Sequence, residues 1–179
     1  MSNKEEPRIY IDTNFILDVI ERRRDESLFL IEEIKNEDWY CCTSAYTVCE
    51  LIDKEQEFLH IGKLLLKKCT VDEIIRKRNS KSLNQEQRES AIGRVEAFFK
   101  QYNIEQFTPK EKGWETTYEV MRDLNVRASD AVQLATAKEA FCTIFVTNDE
   151  KLGKEAQKVL TWMTSKKAYH LLKTMPKTS

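Results

Sequence analysis

The stretch Arg8-Ile9-Tyr10-Ile11-Asp12-Thr13-Asn14 passes from apolar to polar in one step. Ile9, Tyr10 and Ile11 form a short β-favouring run that predicts a buried strand. Asp12, Thr13 and Asn14 are residue types that start helices, and Phe15-Ile16-Leu17-Asp18-Val19-Ile20 predicts the helix that follows. A strand that ends in a carboxylate and turns at once into a helix places that carboxylate on the C-terminal rim of a sheet, where open α/β folds build their sites. A lone Asp there also serves as a helix N-cap. The reading therefore depends on whether further carboxylates reach the same rim.

Outward from this stretch, strands alternate with helices. Leu28, Ile31 and Ile34 stripe a helix from Glu26 to Asn36, and Trp39 to Thr43 predicts a second strand. Ser44 caps a helix through Val48, Leu51 and Ile52, with Glu50 in its middle. From about 53 to 101 the chain is charged and helical, and it predicts an elaboration of the core rather than a second domain. Ile104 to Thr108 is a weak third strand, followed by a helix on which Trp114, Tyr118 and Met121 share a face. Ser129 and Asp130 open a helix of small residues, Ala131-Val132-Gln133-Leu134-Ala135-Thr136-Ala137. Phe141 to Val146 is the strongest strand after the first, and it breaks into Thr147-Asn148-Asp149. Residues 151–160 are helical again, and about 161–179 reads as a basic helical tail. Such alternation implies a parallel sheet covered by helices on both faces.

Composition narrows the class. At 179 residues, 41% hydrophobic and 33% charged, the chain is one globular domain, 1–179, with enough length for a real core. No apolar run is long enough to span a bilayer, which predicts no membrane partner, and the polar start Met1-Ser2-Asn3-Lys4-Glu5-Glu6 lacks the apolar core of a signal peptide. A cytoplasmic protein is expected. Cys41, Cys42, Cys49, Cys69 and Cys142 include no C-x-x-C pair, and with only His60 and His170 beside them they argue against a zinc site. The same scarcity of histidine argues against nucleophile triads. The formal net charge is −1, but it is unevenly spread. Residues 61–82 hold seven basic residues (Lys63, Lys67, Lys68, Arg76, Lys77, Arg78, Lys81) against Asp72 and Glu73, a net of +5. Residues 151–179 hold seven lysines against Glu155, a net of +6. Segregated positive charge guides a polyanion toward one face; its plain alternative is a solvated helix face.

Asp12 and Asp149 each end a strong strand, Asp130 opens a helix that leads back to the sheet, and Glu50 follows the second strand. Each also has an ordinary role as a cap or a solvated residue. If they converge, repulsion matters: two carboxylates about 4 Å apart repel by roughly 4 kcal/mol at an effective dielectric near 20. A cluster would then take up protons or bind a cation. Oxygen-only ligands suit Mg²⁺ or Mn²⁺ better than zinc.

Ile11-Asp12-Thr13-Asn14, a Glu about forty residues later, Ser129-Asp130-Ala131-Val132-Gln133-Leu134-Ala135-Thr136-Ala137 and Val146-Thr147-Asn148-Asp149 together resemble the PIN-domain family in order and approximate spacing. The match runs roughly from Arg8 to Leu152 and is specific at the first, third and fourth motifs. Many members are small metal-dependent ribonucleases, including the VapC-type toxins of prokaryotic toxin–antitoxin pairs. The resemblance implies a PIN-like three-layer α/β fold, with a central, mainly parallel sheet flanked by helices, plus the helical insertion. It implies that Asp12, Glu50, Asp130 and Asp149 are the catalytic acids and hold Mg²⁺ or Mn²⁺. Thr13, Asn14 and Asn148 would orient carboxylates or the substrate phosphate. Around Glu50 the sequence carries little signature, and Glu55 and Glu57 compete for its place. The long insertion and the basic end depart from compact toxins, and either could bind RNA, an antitoxin-like protein or a second subunit.

The leading expectation is a divalent-metal-dependent endoribonuclease that cleaves RNA phosphodiesters with a metal-activated water. Lys67, Lys68, Arg76, Lys77 and Arg78 would contact backbone phosphates. A catalytically weak RNA- or protein-binding module of the same fold is the alternative. A phosphatase or phosphoacceptor domain would place a second acid where Asn14 stands, in an Asp-x-Asp pattern, and is disfavoured.

Overall fold

A computed structural model of the chain describes residues 6–108 and 113–175. Its strands are β1 (Ile9–Ile11), β2 (Cys41–Ser44), β3 (Glu105–Phe107), β4 (Ile144–Val146) and β5 (Thr161–Met163). Its helices are α1 (Thr13–Ile20), α2 (Asp25–Asn36), α3 (Ala45–Leu66), α4 (Val71–Lys77), α5 (Gln85–Tyr102), α6 (Gly113–Asp123), α7 (Ala128–Glu139), α8 (Glu150–Ala156) and α9 (Ser165–Thr174). The chain separates into two compact units, Val48–Gln101 and the remainder. Among the described residues no helix is long and apolar enough to cross a membrane.

The larger unit holds a five-stranded sheet of order β3-β2-β1-β4-β5, parallel at every pairing. This is the three-layer α/β fold expected from the alternating pattern. The three inner strands are buried along their whole length, whereas β3 and β5 are partly exposed at the edges. The apolar runs Ile9-Tyr10-Ile11 and Ile144-Phe145-Val146 suit positions covered on both faces. Alternation then sorts the layers. Tyr10, Cys42 and Phe145 face one side and form a core with Val120 and Leu124, with Ala131, Leu134 and Ala135 of α7, and with Leu152 and Ala156 of α8. Tyr10 stacks on Phe145 with ring centroids 5.2 Å apart. Ile9 and Ile11 face the opposite side, where α2 packs on α1 and α9.

Local sequence explains the close packing. Every residue from Ala131 to Ala137 is buried, and the small side chains let α7 lie near the sheet. On α6 the apolar stripe Trp114, Tyr118 and Met121 faces solvent, and Gly113, Thr117 and Val120 form its buried side. The smaller side chains go inward because α6 packs closely against α7.

At the C-terminal end the expectation needs correcting. Residues from Thr161 do not begin a helix; they first form β5 beside β4, and only then α9. Two features override local helix propensity there: Trp162 donates its indole N–H to the Thr147 carbonyl at 3.1 Å, and Met163 accepts the Thr147 N–H at 3.1 Å. The last part of the expected tail, 176–179, lies outside the described residues.

The smaller unit is helical. Glu55 is fully buried and ion-paired to Arg94 at 3.0 Å, and Glu57 is paired with Lys54 and Arg78. The cysteines are unbridged, with Cys41, Cys42 and Cys142 buried. Gly153 of α8 is set so close to Trp162 that a Cβ would enter the indole ring. Gly153→Ala should therefore lower stability by roughly 1–3 kcal/mol, the usual cost of overpacking. Urea unfolding followed by fluorescence measures it, and an unchanged midpoint would show that the indole moves freely.

Candidate active site

The chain winds from β1 outward through β2 to β3, and then returns to the other side of β1 to lay down β4 and β5. The strand order therefore reverses between β1 and β4. In open parallel sheets the crevice beyond the C-terminal ends of such a pair is the natural binding position. The polar residues after Ile11 and Val146 emerge there.

Asp12 continues the ladder, its N–H donating to the Val146 carbonyl at 3.2 Å. Its side chain is only 1% exposed. Oδ1 accepts the Phe15 N–H at 2.7 Å, capping α1, and Oδ2 accepts the Thr147 hydroxyl at 2.6 Å. That same hydroxyl accepts the Asp149 N–H at 3.0 Å. Thr147 thus fixes the carboxylate of one strand end and the backbone of the other. Asp149 is exposed and caps α8, Oδ1 accepting the N–H groups of Lys151 and Leu152 at 2.9 and 3.1 Å. Asp130 lies in the first turn of α7 and is partly buried. One turn on, the Gln133 amide donates to Thr13 Oγ1 at 3.1 Å, tying α7 to the first residue of α1.

Electrostatics link the three aspartates. Burial pushes the Asp12 carboxyl up to about 7, and the charges of Asp149 and Asp18 push the same way; the Thr147 hydroxyl and Phe15 N–H oppose them. Burial also pushes Asp130 up, with Asp149 adding to it, against the Arg127 N–H, the Arg127 charge and the Ser129 hydroxyl. Asp149 is therefore felt at both other sites. None of the three joins an ion pair among the described residues. Nor is any group of three or more His, Cys, Asp or Glu side chains among them placed to hold a metal ion. The chemistry of the donors still fits a hard cation: all are carboxylate oxygens, one is almost wholly buried, and no cationic side chain among the described residues pairs with them.

The other expected residues fall in different places. Thr13 meets Gln133, and Asn14 is exposed on the first turn of α1. Asn148 turns away from Asp12 and engages Asp18, Ser27 and Ser165. Glu50 lies on α3 in the second unit and is half-buried. Its competitors Glu55 and Glu57 are both committed to ion pairs. Lys67, Lys68, Arg76, Lys77 and Arg78 are all exposed in that unit, Arg78 being paired with Glu57. The roles of Thr147, Gln133 and Asp18 are set by contacts between segments distant in sequence. A hydroxyl two residues before an acid at a strand end is the signal that could have marked Thr147.

A PIN domain family model matches residues 9–157. The chain belongs to the PIN domain family. Among solved structures it is similar to a chain of VapBC2 from Rickettsia felis, bound to a DNA fragment from its promoter, at 17% identity and a TM-score of 0.57, covering 87% of this chain and 98% of that one. It is also similar to a chain of FitAcB from Neisseria gonorrhoeae at 18% identity and a TM-score of 0.57, covering 88% and 97%. A third is a chain of FitAB bound to the IR36 DNA fragment, at 19% identity and a TM-score of 0.51, covering 88% and 94%. At these identities the likeness is one of fold. No curated protein sequence matches the chain.

The Asp12 carboxyl titrates higher in the fold than the ordinary aspartate value of 3.8, so the native state holds the extra proton between that value and about 7. Its contribution to stability is thus present at low pH and lost as pH rises through that window. In EDTA at pH 8, Asp12→Asn should be more stable than wild type by roughly 2–4 kcal/mol, with the gap narrowing toward pH 5. Denaturant titrations across pH measure this. A wild type that gains on the variant as pH rises would contradict it.

Proposed function

We propose that the protein is a divalent-metal-dependent endoribonuclease that hydrolyses RNA phosphodiester bonds. The observation that supports this reading is the buried carboxyl of Asp12 beside the point where the strand order reverses, on which the charge of Asp149 acts, as it also does on Asp130. Membership of the PIN domain family supports it. In this reading Asp12, Asp130 and Asp149 hold Mg²⁺ or Mn²⁺. For Glu50 the role rests on the family resemblance alone, and its variant belongs in the same assay. Bound there, the ion supplies Lewis acidity at the phosphodiester and lowers the pKa of water. The chain's own residues do the positioning. Thr147 aims Asp12 Oδ2, the start of α1 fixes Oδ1, and Gln133 with Thr13 sets α7 against α1.

The direct test is cleavage of a structured RNA mixture in Mn²⁺ or Mg²⁺, with and without EDTA, by wild type and by folded Asp130→Asn. Metal-dependent cleavage that falls by at least a hundredfold in the variant is expected, on the order of the usual loss for a group that acts in the transition state. Equal cleavage by both proteins would remove Asp130 from the chemistry. A second reading, an RNA- or protein-binding module, is favoured by the lack of a finished metal cage among the described residues. It predicts RNA or protein binding with no cleavage in either protein.

Exposed Lys67, Lys68, Arg76 and Lys77 are proposed to meet backbone phosphates, with Arg78 contributing less because Glu57 holds it. Replacing Arg76, Lys77 and Arg78 by Gln should weaken RNA binding and flatten its salt dependence by roughly 0.7 for each phosphate that is no longer neutralised. An unchanged slope would place the RNA elsewhere. The resemblance to VapC-type toxins and the shared fold of VapBC2 and FitAB chains support a further element, an antitoxin-like protein partner that restrains the activity. Exposed Leu66, Val71 and Ile75 are available within the second unit for such a partner or for a second copy of the chain.

A further inference from the structure

Beside the candidate site lies a second polar cluster, built around the Asn148 amide. Asn148 stands between Thr147, which is turned toward Asp12, and Asp149, which is turned toward solvent. Its amide nitrogen donates to Asp18 Oδ2 at 2.9 Å, to Ser165 Oγ at 2.7 Å and to Ser27 Oγ at 3.2 Å. Its amide oxygen accepts the Ser165 N–H at 3.1 Å. Ser27 and Ser165 also share a hydrogen bond of 2.9 Å, and Arg24 closes on the Asp18 carboxylate at 3.1 Å. Ser27, Ser165 and Asp18 are 0%, 1% and 7% exposed. Four segments meet at one amide: α1 through Asp18, α2 through Ser27, the start of α9 through Ser165, and the loop between β4 and α8 through Asn148 itself.

The same loop and the same helix are joined a second time by Thr147 and Asp12. Asp12 caps α1 and Asp18 sits nearly two turns further along it. Two bonds between one helix and two successive loop residues fix the loop in rotation as well as in distance. Asp149 is the next residue, and its carboxylate is exposed with no side-chain partner among the described residues to hold it. We propose that Asp18, acting through Asn148 and together with Ser165, is a positioning residue that sets Asp149 against Asp12 for cation binding. This rests on the reading that these aspartates hold a divalent ion. The buried Asp18 oxygen accepts from the Asn148 amide nitrogen, which orients the amide. Outer residues that orient metal-binding groups typically change affinity by about 10–100-fold when removed.

The test is calorimetric titration of the purified full chain with MnCl₂. Wild type is compared with Asp18→Ala, Asp18→Asn and Ser165→Ala, each first shown to be folded by circular dichroism and thermal melting. Asp18→Ala removes the acceptor, whereas Asp18→Asn retains an oxygen that can still accept from Asn148. The expected result is Mn²⁺ affinity about tenfold weaker for Asp18→Ala, with Asp18→Asn recovering most of the loss. Ser165→Ala is expected to weaken affinity in the same direction and keeps the question open to test if Asp18→Ala does not fold. A role in stability alone would lower the melting temperature and leave the affinity of the folded protein unchanged. That outcome, with wild type binding Mn²⁺, would overturn the positioning role and leave the metal reading standing. A wild type that takes up no Mn²⁺ would overturn the metal reading, and the positioning role with it.

Discussion

A carboxylate at the end of the central strand, closed off from water, is the constraint around which the site is arranged. Removing an ionised group from water is expensive unless hydrogen bonds and opposite charge compensate it. Asp12 receives the hydrogen bonds, one from the start of its own helix and one from Thr147, but no ion pair among the described residues. The neighbouring Asp149 makes matters worse, and so does Asp18. A fold selected for stability alone would place Asn or Ser there and keep the helix cap. The burial of charge is understandable if something else in the working protein neutralises it.

Topology determines why the burden falls at this position. With the order β3-β2-β1-β4-β5, the chain leaves β1 in one direction and returns on its other side, which in open parallel sheets sets the binding position beyond the C-terminal ends of β1 and β4. Both strands are three residues long and wholly buried, so the first polar residue after each falls at that end of the sheet. The small-residue helix α7 brings Asp130 to the same unit through close packing on the sheet. The apolar run, the break and the packing of small side chains are thus one device seen at three levels.

Much of this was legible in the residues. The run Ile9-Tyr10-Ile11 followed by Asp12 marks both strand and rim, and Phe145-Val146 before Thr147-Asn148-Asp149 marks the second rim position. These patterns are local, and local patterns survive without knowledge of the partner. The edge strand β5 was not legible, because Thr161-Trp162-Met163 becomes a strand only through its bonds to the chain around Thr147. The direction of Asn148 was likewise hidden. Its residue type suits a role beside the carboxylates, but its amide goes to Asp18 and Ser165, which lie 130 and 17 residues away in sequence. Spacing suggested that Trp114, Tyr118 and Met121 share a face, and they do; only packing against α7 reveals that the face is the outer one.

The central proposal is that Asp12, the buried aspartate that follows β1, is a cation ligand, and proton counting tests it most directly. Mn²⁺ is titrated into the full chain at pH 6.5 in two buffers of different ionisation enthalpy. An Asp12 carboxyl that titrates near 7 is mostly protonated at that pH, and an arriving cation must displace the proton. Binding should release roughly three-quarters of a proton per chain, and the release should vanish in Asp12→Asn. Mn²⁺ binding with no proton released, or with the same release in the variant, would contradict the claim that Asp12 is where the ion binds.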